Sequence, residues 1–432
     1  MSDNSNLYLI LYITSWLFTF FFYQKKRRFF DAGSFILVSY LVYSIFSFFL
    51  FNGVGVYTIK SLSLFPFLYL YIMLMITTSP VLLFNTDKIS SIKLSNQSIV
   101  YIILFSFAFF ALLSFPDTIE HIREGVSLIM LDSMGGADLV AEAREVAGSY
   151  GHGGLTHLPS VISNAFVNIG VFFLFYLLTL KNKPKLIISI LVVSLLLSIL
   201  SGIASGMRGR PINLVLTIVG TFFLFSRLYS DSINKWVRRF GIILIIIIAI
   251  PIVFITTSRF GEDNSFDSIL DYAGQENLYF NKYGLDDNGI RYGDRTIPLF
   301  KRIIGIEGVP HNYIERRDKY PFLKINDEVF CTFVGDFTID FGPILASAIF
   351  IIFNLFVVLK TKIKNGAIQF RHLLLIHFVM CVCVQGGMTL YSFADTAGNL
   401  QIIAYLLVYV YSKFSERQRA YVYLNHNVEN PT

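Results

Sequence analysis

Long apolar runs broken by short polar joints dominate the chain, from "NLYLILYITSWLFTFFFY" near its start to "LQIIAYLLVYVY" near its end. Many approach the roughly 20 residues that an α-helix needs to cross a bilayer. The pattern predicts eleven spans, at 7–23, 32–52, 62–84, 98–115, 159–180, 185–201, 212–227, 239–256, 338–359, 372–390 and 399–412. Short alternating strands of the kind that build a membrane barrel do not appear. The expected fold class is therefore an all-α polytopic membrane protein. The first run has no basic residue before it and no small-residue cleavage site after it, so it reads as a span rather than a cleaved signal peptide.

Composition agrees: 54% of residues are hydrophobic and 15% charged, more apolar surface than a soluble domain can hide. Mean hydropathy is +0.61. The net charge of +6 matters less than its placement. Twenty Lys and Arg fall at joints on one side, including "KKRR" and "KNKPK", against Lys60, Arg208 and Arg210 in short joints on the other. The positive-inside rule then puts the N-terminus outside and the C-terminus, with a tail at 413–432, inside.

Two long segments interrupt the spans, both on the outer side. The first, 116–158, carries seven acidic residues and His121, His152 and His157. Its middle predicts a short helix stopped by Gly148, and its histidines are either a site or ordinary loop polarity. The second, 257–337, holds fourteen acidic and ten basic residues among many Tyr and Phe. That aromatic content predicts a folded cap of short helices, not a disordered linker. Domain organisation follows: spans one to eight over 1–256, the cap over 257–337, and spans nine to eleven over 338–412.

Candidate chemistry collects on that outer side. In "SGIASGMRGRPI", Gly202 and Gly206 allow close helix approach. Gly209 and Pro211 are expected to keep Arg208 and Arg210 on a short bent connector. Arginines at such a depth can snorkel to lipid headgroups. Their guanidinium forks also match phosphate oxygens bidentately, and a lipid diphosphate would sit there. Arg259, Arg291 and Arg295 are further phosphate candidates. His311, in "GVPHNYIERR", is a candidate base. Asp336 and Asp340 are four apart, so a helix puts them on one face; a helix-dipole role is the alternative for Asp336. Arg316, Arg317, Asp318 and Lys319 read as a solvated surface run. Tyr272, Tyr279 and Tyr292 offer either faces for a glycan or packing for the cap. Asn164, Asn168 and Gln385 read as hydrogen-bonding positions between helices.

No nucleotide-binding or zinc-ligand spacing occurs, and "LDDNG" lacks the spacing of a calcium loop, so no metal or cofactor is implied. Cys381 and Cys383 lie on different helix faces, and Cys331 has no obvious partner. "GQENLYFN" comes close to a protease-tag sequence but has Asn281 where the tag needs glutamine, and reads as native.

Three stretches, "GMRGRP", "DYAGQENLYFN" and "TFVGDFTIDFG", together with the many spans and one dominant late outer loop, resemble the Wzy-type polymerases of O-antigen and capsular repeat units. "PHNYI" resembles the His-Asn segment of the related O-antigen ligases, where the His is implicated in catalysis. The resemblance implies a GT-C-like fold in a bacterial inner membrane. It implies a glycosyltransferase acting on undecaprenyl-diphosphate-linked oligosaccharides, moving the growing glycan onto a new lipid-linked unit. In that reading Arg208, Arg210, Arg259, Arg291 and Arg295 bind diphosphate, and His311, Asp336 or Asp340 orients or deprotonates the acceptor. Asp340 is expected to hold an arginine in place. Partners would be the lipid-linked oligosaccharide, membrane lipids and a chain-length regulator, with no nucleic acid. An O-antigen ligase and a lipid-linked oligosaccharide flippase are the alternatives.

Overall fold

A computed structural model describes residues 4–53, 59–93, 97–116, 119, 123, 158–180, 182–204, 209–260, 265–325, 329–390 and 392–428. The apolar runs form helices: α1 Ser5–Lys26, α2 Ala32–Asn52, α3 Leu64–Leu83, α4 Gln97–Leu113, α5 Leu158–Thr179, α6 Lys185–Ala204, α7 Gly209–Phe225 and α8 Asp231–Phe260. The second long segment supplies α9 Ser265–Tyr279, α10 Pro298–Ile303, α11 Tyr313–Lys319 and α12 Thr332–Phe341. α13 Pro343–Lys360, α14 Phe370–Gly386 and α15 Asp395–Val428 follow. Among the described residues, six helices are long and apolar enough to cross a membrane, and three apolar helices are shorter. The protein is thus a multi-pass helical membrane protein. Its outward-facing apolar side chains say the same: Phe22 is 66% and Ile352 69% exposed, which suits lipid and not water.

The interior is closed by polar pairs as well as by packing. Asn168 on α5 donates to Gln401 on α15 at 2.7 Å and accepts from Thr217 on α7 at 3.3 Å, and Gln385 on α14 donates to both Asn168 and Thr217. His377 on α14 lies 2.9 Å from both Thr221 and the Tyr405 hydroxyl. Such bonds join helices that share no hydrophobic drive to associate in lipid.

At one end of the bundle, Arg27 pairs with Asp31 at 3.5 Å and Arg227 with Asp87 at 3.4 Å. There β1 (Ser91–Lys93) and β2 (Ala367–Gln369) form a two-stranded parallel pair. The cap helices gather at the other end, where α2 finishes and α3 begins. α9 lies along α2, with Gly274 against the Phe46–Ser47 backbone; a Cβ there would fall 2.7 Å from the Phe46 carbonyl carbon. Ser47 donates to the Gly274 carbonyl at 2.7 Å, and Asn281 exchanges two hydrogen bonds with the Ser63 backbone at 2.7 and 2.9 Å.

Three expectations are corrected here. The ninth span does not run from residue 338. Gly342 has φ +78°, a conformation that only glycine takes readily, and Pro343 follows without an N–H to continue the ladder. Asp340 therefore belongs to the separate short helix α12. Arg210 also does not lie on a bent connector. α7 starts at Gly209 and takes in Arg210 and Pro211, because a proline in the first turn forfeits only an N–H that has no helical partner. Lastly, the helix of the last span continues through the expected tail to Val428. The helix and histidines expected within 116–158 lie outside the described residues.

Candidate functional site

α12 presents Asp336 and Asp340 one turn apart, and both point at the loop that precedes α10. Arg291 donates from Nε to Asp340 Oδ1 at 2.7 Å and lies 3.8 Å from Asp336 Oδ1. Arg295 Nε stands 3.0 Å from Asp336 Oδ1 but is not aimed along a hydrogen bond, so that contact is charge attraction. Asp340 Oδ2 accepts three further bonds, from the backbone of Arg295 (3.2 Å) and Thr296 (2.7 Å) and from the Thr296 hydroxyl (2.8 Å). Asp336 Oδ2 accepts from the Leu390 backbone at 2.9 Å, just beyond α14. All four charged side chains are buried. Two cations and two anions make the unit neutral, which is how such a group tolerates burial. Burial still pushes the Asp336 carboxyl up, against the pull of Arg295 and Arg291.

A second buried acid anchors the same loop. Asp294 accepts from Lys301, from Lys319 at 2.7 Å and from the Tyr320 hydroxyl at 2.8 Å. Burial alone would raise its pKa, but these three donors together hold it below the usual carboxylate range. Arg316 is buried and donates to Asp395 at 2.6 Å, at the start of α15. This corrects the solvated surface run at one position: Arg317, Asp318 and Lys319 are exposed, but Arg316 ties the cap to α15, while Lys319 bonds within the cap to Asp294 and the Gly308 carbonyl.

Comparison of the chain with protein-family models, curated proteins and solved structures finds no match. The site is therefore read from its own chemistry.

The predicted residues separate into groups. Arg291, Arg295, Asp336 and Asp340 form one buried unit, with the arginines facing carboxylates. His311 is exposed, its backbone N–H donating to Glu315 at 2.7 Å. Arg210 is exposed in the first turn of α7. Next to it, a Cβ on Gly209 would lie 2.7 Å from the Tyr272 hydroxyl, so that cap tyrosine is pressed against the start of α7. The Tyr272 ring also meets Phe330 edge-on at 4.9 Å. Tyr279 stacks on Tyr283 at 6.2 Å, and Tyr292 is 64% exposed. Arg208 and the side chain of Arg259 lie outside the described residues.

Sequence reasoning passed over three acids. Asp294 is one of them. Glu276, on α9, is wholly buried; one carboxylate oxygen takes a bond from Asn277 at 3.2 Å and the other has no hydrogen-bond partner. Burial pushes its carboxyl well above the usual range. Asp287 is also buried, with Oδ1 accepting from the backbones of Lys324 (3.0 Å) and Ile325 (2.8 Å). Burial raises its pKa to about 6 despite the Ile325 N–H and the Arg291 and Lys324 charges. The adjacent acids in "LDDNG" were the available signal for Asp287. For Glu276 it was a lone charge between Tyr272 and Asn281.

Proposed function

We propose that the protein is an inner-membrane glycosyltransferase that polymerises oligosaccharide repeat units carried on undecaprenyl diphosphate, working at the outer face with eleven spans and the cap outside. The motif resemblance and the twenty-to-three asymmetry of basic residues support this reading. The structural observation that carries it is the start of α7. There an exposed arginine, Arg210, coincides with the amide-rich end of a long helix and with a cap tyrosine, Tyr272. A helix N-terminus and a guanidinium together suit a diphosphate, and they stabilise the charge that develops as the lipid diphosphate leaves. Arg291 and Arg295 would then shape the cap loop through Asp336 and Asp340. His311, on the open surface of the cap, remains a candidate to orient or deprotonate the acceptor.

The test is the surface-glycan profile of a deletion strain carrying variants. Arg210→Ala should collapse the polymer ladder to single-repeat caps with the protein still in the membrane. Arg210→Lys should restore it only partly, because an ammonium lacks the planar fork. A normal ladder from Arg210→Ala would remove the diphosphate role and leave lipid anchoring. In the deletion strain itself, polymer stranded on its lipid carrier would identify a ligase, and units trapped inside a flippase.

A further inference from the structure

A cavity of about 350 Å³ opens between the cap loop and α12, a size that fits one or two small rings. Asp286, Asp287, Tyr292, Phe322, Thr338 and Ile339 line it, and no Lys or Arg does. Two aromatic side chains on its rim stay unusually open to solvent: Tyr292 is 64% and Phe322 46% exposed. Backbone contacts help to hold them there, and the Phe322 ring also lies against Gly289 and edge-on to Tyr320 at 5.9 Å. Tyr292 has φ +54°, and its carbonyl accepts from Lys301 at 3.1 Å. Asn288 donates to the Phe322 carbonyl at 3.1 Å. Asp287 is only 3% exposed, and its Oδ2 has no hydrogen-bond partner. A buried acceptor without a donor is costly, and native proteins seldom keep one without a use.

The wall discriminates among ligands. It has carboxylates and no cation, so it repels phosphates and acidic sugars. Its two carboxylates and its opening to solvent disfavour an acyl chain. Aromatic faces suit the apolar face of a pyranose, while a carboxylate accepts from hydroxyl or amino groups. Placement narrows the choice again. Gly342 and Pro343 complete the cavity, and the next residues, Ile344 and Leu345, are 87% and 52% exposed at the start of a lipid-facing helix. A ligand here lies beside the membrane surface, within reach of a lipid tether.

We infer that this cavity is a saccharide subsite for a neutral or amino sugar, with Tyr292 and Phe322 stacking on the ring and Asp287 accepting from its hydroxyl or amino group. Naming that sugar as part of the lipid-linked acceptor rests on the proposed polymerase; the saccharide site itself does not. Its wall residues Thr338 and Ile339 lie between Asp336 and Asp340 on α12, which would let the buried Arg–Asp unit fix the cavity wall.

The experiment uses full-length protein in nanodiscs. The probes are an array of neutral, amino and acidic oligosaccharides, and the diphosphate-linked oligosaccharide extracted from the source cell. Wild type should bind neutral or amino sugars and not acidic ones. Tyr292→Ala and Phe322→Ala should each weaken binding by about ten-fold, as expected for losing one aromatic face. Asp287→Asn should do the same without lowering expression, since Asn can still accept from the Lys324 and Ile325 amides. Because both aromatics are exposed, their variants guard against a folding artefact. No binding to any probe, preference for acidic glycans, or unchanged affinity in all three variants would overturn the inference. Binding without polymer formation in vitro would keep the subsite and sink the polymerase. Polymer made equally well by wild type and all three variants would do the reverse.

Discussion

Replacing Asp340 with asparagine is the sharpest probe of how the cap is held. The two carboxylate oxygens have different duties. Oδ1 takes the Arg291 guanidinium at 2.7 Å, while Oδ2 gathers two backbone N–H groups and a hydroxyl. Asparagine has one acceptor oxygen and cannot serve both sides. Three donors outvote one, so the oxygen should face Arg295 and Thr296. The new amide then points its hydrogens at a guanidinium that is 1% exposed. Shape is preserved, but the unit carries an uncompensated positive charge. Stranding one member of a buried ion pair costs about 3–5 kcal/mol. At the ~2 °C per kcal/mol expected of a large chain, the apparent unfolding temperature in nanodiscs should drop by roughly 6–10 °C.

The second half of the cycle separates charge from packing. Adding Arg291→Met to Asp340→Asn returns the unit to neutrality, since Asp336 keeps Arg295 at 3.0 Å. The double variant should recover at least ~2 kcal/mol relative to Asp340→Asn, a coupling typical of contacting charged groups. If Asp340→Asn melts within about 1 kcal/mol of wild type, or the double variant is no better than the single, the pair does not hold the cap and the reasoning fails.

Two further outcomes follow from the cap. Gly274→Ala puts a methyl 2.7 Å from the Phe46 carbonyl carbon, and backbone cannot swing aside as a side chain can. It should cost several kcal/mol and expose the α2–α9 seam to protease, whereas Ala at Gly305, where nothing lies within 4 Å of a Cβ, should not open that seam. Asp294 supplies a pH dependence: its pKa is lowered on folding, so its stabilisation is present above the unfolded value near 4 and is lost as pH falls through the folded value. The stability gap between wild type and Asp294→Asn should therefore narrow below about pH 4, and a gap constant from pH 7 to 3 would contradict the ion-pair assignment.

What was legible in the sequence was what repeats or lies close in sequence. Apolar runs near bilayer length declared the helices, and the four-residue spacing of Asp336 and Asp340 declared their common face. Helix boundaries were less visible where a single backbone angle decides them, as at Gly342. The partners of charged residues were not legible. Arg291 and Asp340 are 49 residues apart and Arg316 and Asp395 are 79 apart, and no local pattern encodes such pairs. Arg316 looked solvated because its neighbours Arg317 and Asp318 are. Only the fold shows that this short helix turns one side toward α15. Asp287 lies in a stretch without the spacing of a calcium loop, and its burial is invisible in that local pattern.

The arrangement of charge carries the functional reading further than any single residue does. Within the described cap, Arg291, Arg295 and Lys301 each face a carboxylate, and Arg316 faces Asp395. A diphosphate entering the membrane-facing side of the cap would have to break such a pair to reach one of these cations, at a cost of about 3–5 kcal/mol. Arg210 would demand no such exchange in that reading: it is exposed in the first turn of α7, and the cap's Tyr272 lies against its neighbour Gly209. The uncharged half of the proposed reaction would have the opposite need, a place with acceptors and flat apolar faces but no cation. The cavity beside Asp287 offers that. In the proposed polymerase, the chain would separate an anion-receiving corner at the start of α7 from a hydroxyl-receiving cavity at the start of α13. Joining two lipid-borne glycans requires that division, because the diphosphate of one and the free hydroxyl end of the other must be held apart until their sugars meet.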